Sequence, residues 1–226
     1  MYETKAGQPE VIEPFQVQAL YVLINVMIEY QFSGYHGYNS AMSKSFTGRG
    51  DNGTTAALGS GRIRKDDAQP EAFGTVDELS AVLSVARTHC TDPLVLKAVI
   101  EIQRDLFHLM SELAAAPEVQ AEYRHIDPDR VAWLEEEISR VENLVEIPET
   151  FILSGSQPAA SAFDLARTIT RRAERRVVTL FFADRVINQE LLRYLNRLSS
   201  LLFLYVLLES TRDGSPIIHV NQEPLS

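Results

Sequence analysis

From about residue 66 to residue 211 the apolar side chains recur mostly at intervals of three and four, and that spacing excludes most folds. It places them along one stripe of an α-helix, so each such segment has a face to bury. Five segments carry the pattern, at about 67–90, 94–115, 128–145, 157–183 and 188–211. Asp67 can cap the first, with Pro70 and Glu71 in its first turn, although Thr75-x-x-Glu78 also fits a capping box and a later start. Pro117 ends the second, Asp127-Pro128 opens the third, and Pro158 opens the fourth after Ser156. The fifth stops at Asp213-Gly214, and its run LLFLYVLL (201–208) reads as a buried face. Trp133 reads as packing in the third. Only PIIHV (216–220) suggests a strand. Strands do not alternate with helices, so no parallel sheet is expected. The expected fold class is all-α, a five-helix bundle.

Composition narrows the function classes. A net charge of −10 argues against general nucleic-acid or anionic-membrane binding, while leaving room for one local phosphate site. The single cysteine, Cys90, forms no intramolecular disulfide and suits a reducing, cytoplasmic setting; it reads as a packed helix residue. The expected domain is 46–226, preceded by a poorly ordered N-terminal extension, 1–45. The apolar stretch 19–30 is too short to span a bilayer and lacks the basic leader of a signal peptide. Met42 stands just before the first motif, so 1–41 reads as an upstream translated stretch; a short helix over about 16–31 is the alternative.

Two segments carry chemistry. In ARTITRRAERRVV (166–178), Arg167, Arg171 and Arg175 are four apart and share one face, bordered by Glu174, while Arg172 and Arg176 point elsewhere. Taken alone, the motif reads as a solvated face with Glu–Arg pairs, each contributing about 0.3–0.5 kcal/mol. Stacked guanidiniums repel one another, however, and are better tolerated when anions face them; the forked, permanently charged guanidinium suits phosphate oxygens. The second segment is TGRGDNGTT (47–55). Gly48, four residues and Gly53 imitate a P-loop, but Thr54 stands where a lysine is needed, and AMSKSF is a poor buried strand. Its Arg-Gly-Asp triplet has no extracellular context. Either a flexible linker or a phosphate-wrapping arm fits; the arm would use backbone N–H groups left open by glycine, with Asp51 able to hold Mg²⁺ and Lys65 adding charge.

Together these segments resemble the PduO-type ATP:cob(I)alamin adenosyltransferase family. The resemblance covers roughly 46–211 in register, through TGRGDNGTT (47–55), RKDDAQPEAFGTVDELS (64–80), FILSGS (151–156), ARTITRRAER (166–175) and YLNRLSSLLF (194–203). It implies a homotrimeric five-helix bundle with a glycine-rich N-terminal arm, expected to be mobile before ATP binds, and active sites between subunits. The implied reaction moves the 5′-deoxyadenosyl group of ATP onto the cobalt of cob(I)alamin and releases triphosphate. By position, Thr47, Gly48, Arg49, Gly50, Asp51, Thr55, Ala56 and Lys65 would bind ATP, joined by Arg171, Arg172, Glu174, Arg175 and Asn196. Arg171, Glu174, Arg167 and Asp77 would serve catalysis. Arg167 would pair with Asp77 and shape the cobalamin site, where Phe151 would lie beneath the corrin. The metal ligands stay unassigned. Implied partners are a reductase and an enzyme that accepts the adenosylated product; no nucleic acid or membrane is expected. Alone, Asp77 and Glu78 read as first-turn acids, Phe151 as core and Asn196 as a helix bridge. The chain departs from the family pattern at Gly48-Arg49, Gln69, Ser154 and Ser200. Those departures motivate a second reading, a non-catalytic escort or sensor of ATP or cobalamin; a purely structural bundle is the third.

Overall fold

A computed structural model describes residues 47–59, 61–214 and 216–220. The expected extension 1–45, with its alternative helix at 16–31, lies outside the described residues. The chain divides into two units, Met1–Ala56 and Ala57–Ser226.

In the first unit, residues 47–56 form two successive turns and a strand. Asp51 N–H donates to the Gly48 carbonyl at 3.1 Å and Gly53 N–H to Gly50 at 3.1 Å. Gly48 and Gly53 have φ of 69° and 77°, in the left-handed region that glycine enters without a Cβ clash. The side-chain oxygen of Asn52 accepts from Thr54 N–H and hydroxyl at 3.1 and 2.7 Å. Strand β1, Thr54–Ala56, follows. A P-loop would open a helix there, so that resemblance ends at composition.

The second unit begins with strand β2, Arg62–Arg64, and contains five helices. They are α1 (Ala68–His89), α2 (Pro93–Ala114), α3 (Pro128–Glu142), α4 (Pro158–Phe182) and α5 (Glu190–Ser210). Asp67, Asp92 and Asp127 cap the first three, each carboxylate accepting from backbone N–H groups of the first turn. The capping-box alternative for α1 fails: Thr75 lies inside the helix, and its hydroxyl donates to the Glu71 carbonyl at 2.6 Å. The expected boundaries agree to within three residues.

Helix α4 packs along α1 and α5, α2 lies on α1, and α3 on α5. The core is continuous through all five helices, with Phe163, Tyr194 and Tyr205 its largest fully buried side chains. Helix α5 is long and apolar enough to cross a membrane by length and composition. Its run from Leu201 to Leu207 is nevertheless mostly buried in the bundle, as expected for a core helix. Strand β4, Ile218–His219, pairs antiparallel with β3, Ile152–Leu153, a partner the sequence did not indicate. A short 3-10 turn, Gln120–Tyr123, was likewise unforeseen.

Buried polar pairs tie the helices together. The Asp105 carboxylate accepts from Arg130 at 2.6–3.1 Å and from the buried Tyr194 hydroxyl at 2.7 Å. Burial pushes its pKa upward, and these partners oppose that push. Glu112, fully buried, accepts from Asn188 at 3.0 Å. Arg130 also stacks over Trp133, 4.6 Å from the ring centre. The sequence reading missed these pairs, although the acids at positions 105 and 112 interrupt the apolar pattern of 94–115.

Candidate functional site

Helix α4 presents its arginines in two sets. Arg172 and Arg176, one turn apart, face α1: Arg172 bonds the Glu78 carboxylate, and Arg176 reaches Glu71 at 3.0 Å. They close one side of a shallow cleft of about 400 Å³, lined also by Pro70, Gly74 and Thr75. The other set behaves differently. Arg171 and Arg175 are exposed, and no carboxylate among the described residues pairs with either. One guanidinium nitrogen of Arg175 donates to the Arg171 carbonyl at 3.0 Å, which holds the two residues in line along the helix.

Arg167 and Arg171 line a second cleft, of about 300 Å³. Its apolar lining is Ile147, Phe203 and Leu204, and its polar lining includes Glu142, Ser199 and Ser200. Cation on one wall and hydrocarbon on another suit a ligand that is both anionic and apolar. Beside the open row, Asn196 donates its amide to Glu174 at 3.2 Å, joining α5 to α4. Asn196 in turn accepts from Arg197, which reaches Glu135 on α3 at 3.0 Å. The structure thus brings Arg171, Glu174, Arg175 and Asn196 to one region of the bundle.

The expected Arg167–Asp77 pair is absent within the chain. Arg167 instead folds back on Asp164, three residues earlier, at 2.8 Å. Successive helical residues project about 100° apart. Glu78 therefore leaves α1 on the flank facing α4 and meets Arg172, while Asp77, exposed, leaves on the other flank.

Phe151 is 86% exposed, directly before the half-buried Ile152. Its carbonyl accepts from Val220 N–H at 2.9 Å, and its aromatic ring stands in solvent. The core reading of Phe151 is excluded. Lys65 is exposed in the turn between β2 and α1, next to the Arg64–Asp66 ion pair at 2.5 Å. Thr47, Gly48, Arg49, Gly50, Asp51, Thr55 and Ala56 occupy the two turns and β1 described above. Among the described residues no group of three or more His, Cys, Asp or Glu could hold a metal ion.

Arg185, in the link after α4, was missed by the sequence reading. It donates to Asp67 at 2.7 Å and to Gln69 at 2.9 Å. The Asp67 carboxyl lies below the usual range, chiefly because it accepts the Gln69 N–H and then because of Arg185. Gln69, one of the departures from the family pattern, therefore has a structural task here.

The helical bundle thus carries an arginine row without carboxylate partners among the described residues and an exposed aromatic side chain, features that suit an anionic ligand. The sequence profile of the family described as cobalamin adenosyltransferase matches residues 45–209. The chain is 40% identical over 159 residues to the corrinoid adenosyltransferase PduO of Citrobacter freundii, covering 70% of this chain and 47% of that protein. It therefore spans about half the length of that relative. It is 37% identical over 177 residues to the corrinoid adenosyltransferase of Bacillus subtilis, covering 76% of this chain and 89% of that protein. Its fold is similar to a phenylalanine-to-alanine variant of the PduO-type ATP:corrinoid adenosyltransferase of Lactobacillus reuteri, solved with cobalamin and ATP. The TM-score is 0.73 at 30% identity, over 78% of this chain and 99% of that one. The chain belongs to the cobalamin adenosyltransferase family.

Proposed function

We propose that the chain transfers the 5′-deoxyadenosyl group of ATP to the cobalt of a reduced corrinoid. The observation that carries this reading is the Arg171–Arg175 row, left without carboxylate partners among the described residues in a fold whose solved relative is complexed with ATP and cobalamin. The Co(I) lone pair attacks C5′ of the ribose, the bond from C5′ to the triphosphate oxygen breaks, and triphosphate leaves with that electron pair. Cob(I)alamin is itself the nucleophile, so the protein needs no serine, cysteine or histidine to attack. Its tasks are to orient ATP and to stabilise charge that grows on the leaving group.

Arg171, Arg175 and Lys65 are the cations for that charge. Glu174 and Asn196 orient the nucleotide, with Arg172 keeping α4 in place beside it through Glu78, and Thr47, Gly48, Arg49, Gly50, Thr55 and Ala56 offer backbone and hydroxyl groups to it. A lone carboxylate such as Asp51 fits Mg²⁺ that is carried mainly by phosphate oxygens, since Mg²⁺ is commonly held by one or two carboxylates together with substrate phosphates. When bound, Mg²⁺ would neutralise phosphate charge. Phe151 excludes water and axial donors beneath the corrin, which makes four-coordinate Co(II) easier to reduce. Arg167 and Asp77, apart within one chain, are left to meet between subunits of a homotrimer. A reductase supplying Co(I), an enzyme accepting the product and a cytoplasmic setting complete the proposal.

Incubation of the chain with ATP, Mg²⁺ and chemically reduced cobalamin tests it. The expected result is the light-sensitive adenosyl product with stoichiometric triphosphate. Tight binding of ATP and cobalamin without product would favour the escort or sensor instead. Absence of ATP protection against thermal unfolding would favour a structural bundle, because a ligand of the native state must raise stability.

A further inference from the structure

The C-terminal end of α2 is capped by segments from elsewhere in the chain. The last carbonyls of a helix have no partner within it and must find one. Here the Leu113 and Ala115 carbonyls accept the Gln69 side-chain amide at 2.8 and 3.2 Å. The Ala114 carbonyl accepts Leu58 N–H at 2.9 Å, and the Leu58 carbonyl accepts Ala116 N–H at 2.8 Å. Leu58 is buried. Gly59 follows with φ 98°, so close to the bundle that an added Cβ would stand 2.5 Å from a Val119 methyl. The start of the second unit, Leu58 and Gly59, is therefore docked by backbone pairing and close packing.

One guanidinium secures this dock. Arg185 grips Asp67, the α1 cap, with one nitrogen and Gln69 with another, which orients the Gln69 amide onto the α2 carbonyls. Arg185 is itself held on both sides. Asp184 before it takes φ 54°, an uncommon conformation for a non-glycine residue, and the buried Gln120 donates to the Arg185 carbonyl at 3.1 Å. Lys65 lies two residues before Asp67, between the Leu58 dock and the Arg185 grip.

We infer that Arg185 is a positioning residue for the nucleotide: through Asp67 and Gln69 it holds the region of Leu58 and Lys65, to which residues 47–56 are joined in sequence. The inference rests on the reading of residues 47–56 and Lys65 as ATP ligands. A salt bridge with merely structural value would affect both substrates alike; this one acts on ATP.

The test uses the full chain with Arg185→Gln and Arg185→Lys. Arg212→Gln serves as control, because it severs a comparable link to Asp92 and Glu209 at the other end of α2. In Arg185→Gln the KM for ATP is expected to rise about tenfold, the effect of losing one charge-assisted contact, while the KM for reduced corrinoid stays within about twofold. Exchange of the Leu58 amide should quicken in the same variant. Arg185→Lys should recover part of the ATP effect, since an ammonium can reach Asp67 but cannot span both acceptors. Arg212→Gln should lower Tm and leave the KM for ATP unchanged. Equal rises in both KM values, or an unchanged KM for ATP in Arg185→Gln, would overturn the inference. Calorimetric titration with ATP separates the two failures. A wild-type chain that binds no ATP sinks the proposed function and this inference together; wild type and Arg185→Gln binding equally tightly sinks the inference alone.

Discussion

The two arginine sets on α4 differ in one respect that decides their roles. Arg172 and Arg176 have carboxylates across the groove, Glu78 and Glu71, and so hold α4 to α1. Arg171 and Arg175, one residue earlier in each turn, have none among the described residues. A helix that needed only packing would gain nothing from a second, mutually repelling row. The same residue type in the same six-residue motif therefore fastens two helices on one flank and stands without a carboxylate partner among the described residues on the other, the flank proposed to receive the ligand.

Replacing Arg171 by alanine should break the comparison most strongly. The proposed loss of a leaving-group contact predicts a fall in turnover of about a hundredfold or more. Tm should stay within about a degree, because the side chain is exposed and pairs with no carboxylate among the described residues. Turnover and melting, measured on one preparation, check it; a normal rate would remove Arg171 from the mechanism.

The paired flank should answer in the opposite way. Arg172→Ala and Glu78→Ala should each lower stability by less than about 1 kcal/mol, because both partners are about half exposed. Combined, they should cost less than their sum, as contacting residues do in a double-mutant cycle. Additive losses would show that the bridge contributes nothing.

The effect that is smallest at neutral pH lies away from α4. His108 and His125 stack with ring centres 4.5 Å apart. Burial, then repulsion from His125 and Arg130, pushes His108 down to about 4. Between the ordinary histidine value of 6.5 and about 4 the unfolded chain binds this proton and the folded chain does not. Stability should therefore fall as pH drops through that window. His108→Asn should flatten this part of the Tm profile while leaving both arginine sets as they are. An unchanged profile would mean that His108 carries no share of the acid sensitivity.

The bundle was legible because its signals are local. Asp127-Pro128 and Pro158 announce helix starts within two residues, and the spacing of Val95, Val99, Ile102, Leu106, Leu109 and Leu113 marks a buried stripe without reference to any other segment. The open row was legible for the same reason, since Arg171 and Arg175 are one turn apart. Contacts between distant segments were not. Spacing put Arg172 off the row but did not reveal Glu78 as its partner, and the resemblance assigned Arg167 to Asp77 where the single chain gives it Asp164. Arg185 stood in an unremarked link, because its value depends on two acceptors more than 115 residues away. The β3–β4 pair escaped for a related reason: each strand is two residues long, too short to show alternation.

The most direct measurement is a structure of the chain crystallised with ATP and Mg²⁺. The account predicts phosphate oxygens within about 3.2 Å of the Arg171 and Arg175 guanidiniums, with Arg172 and Arg176 still on Glu78 and Glu71. A triphosphate bound elsewhere, with Arg171 and Arg175 still facing water, would contradict it.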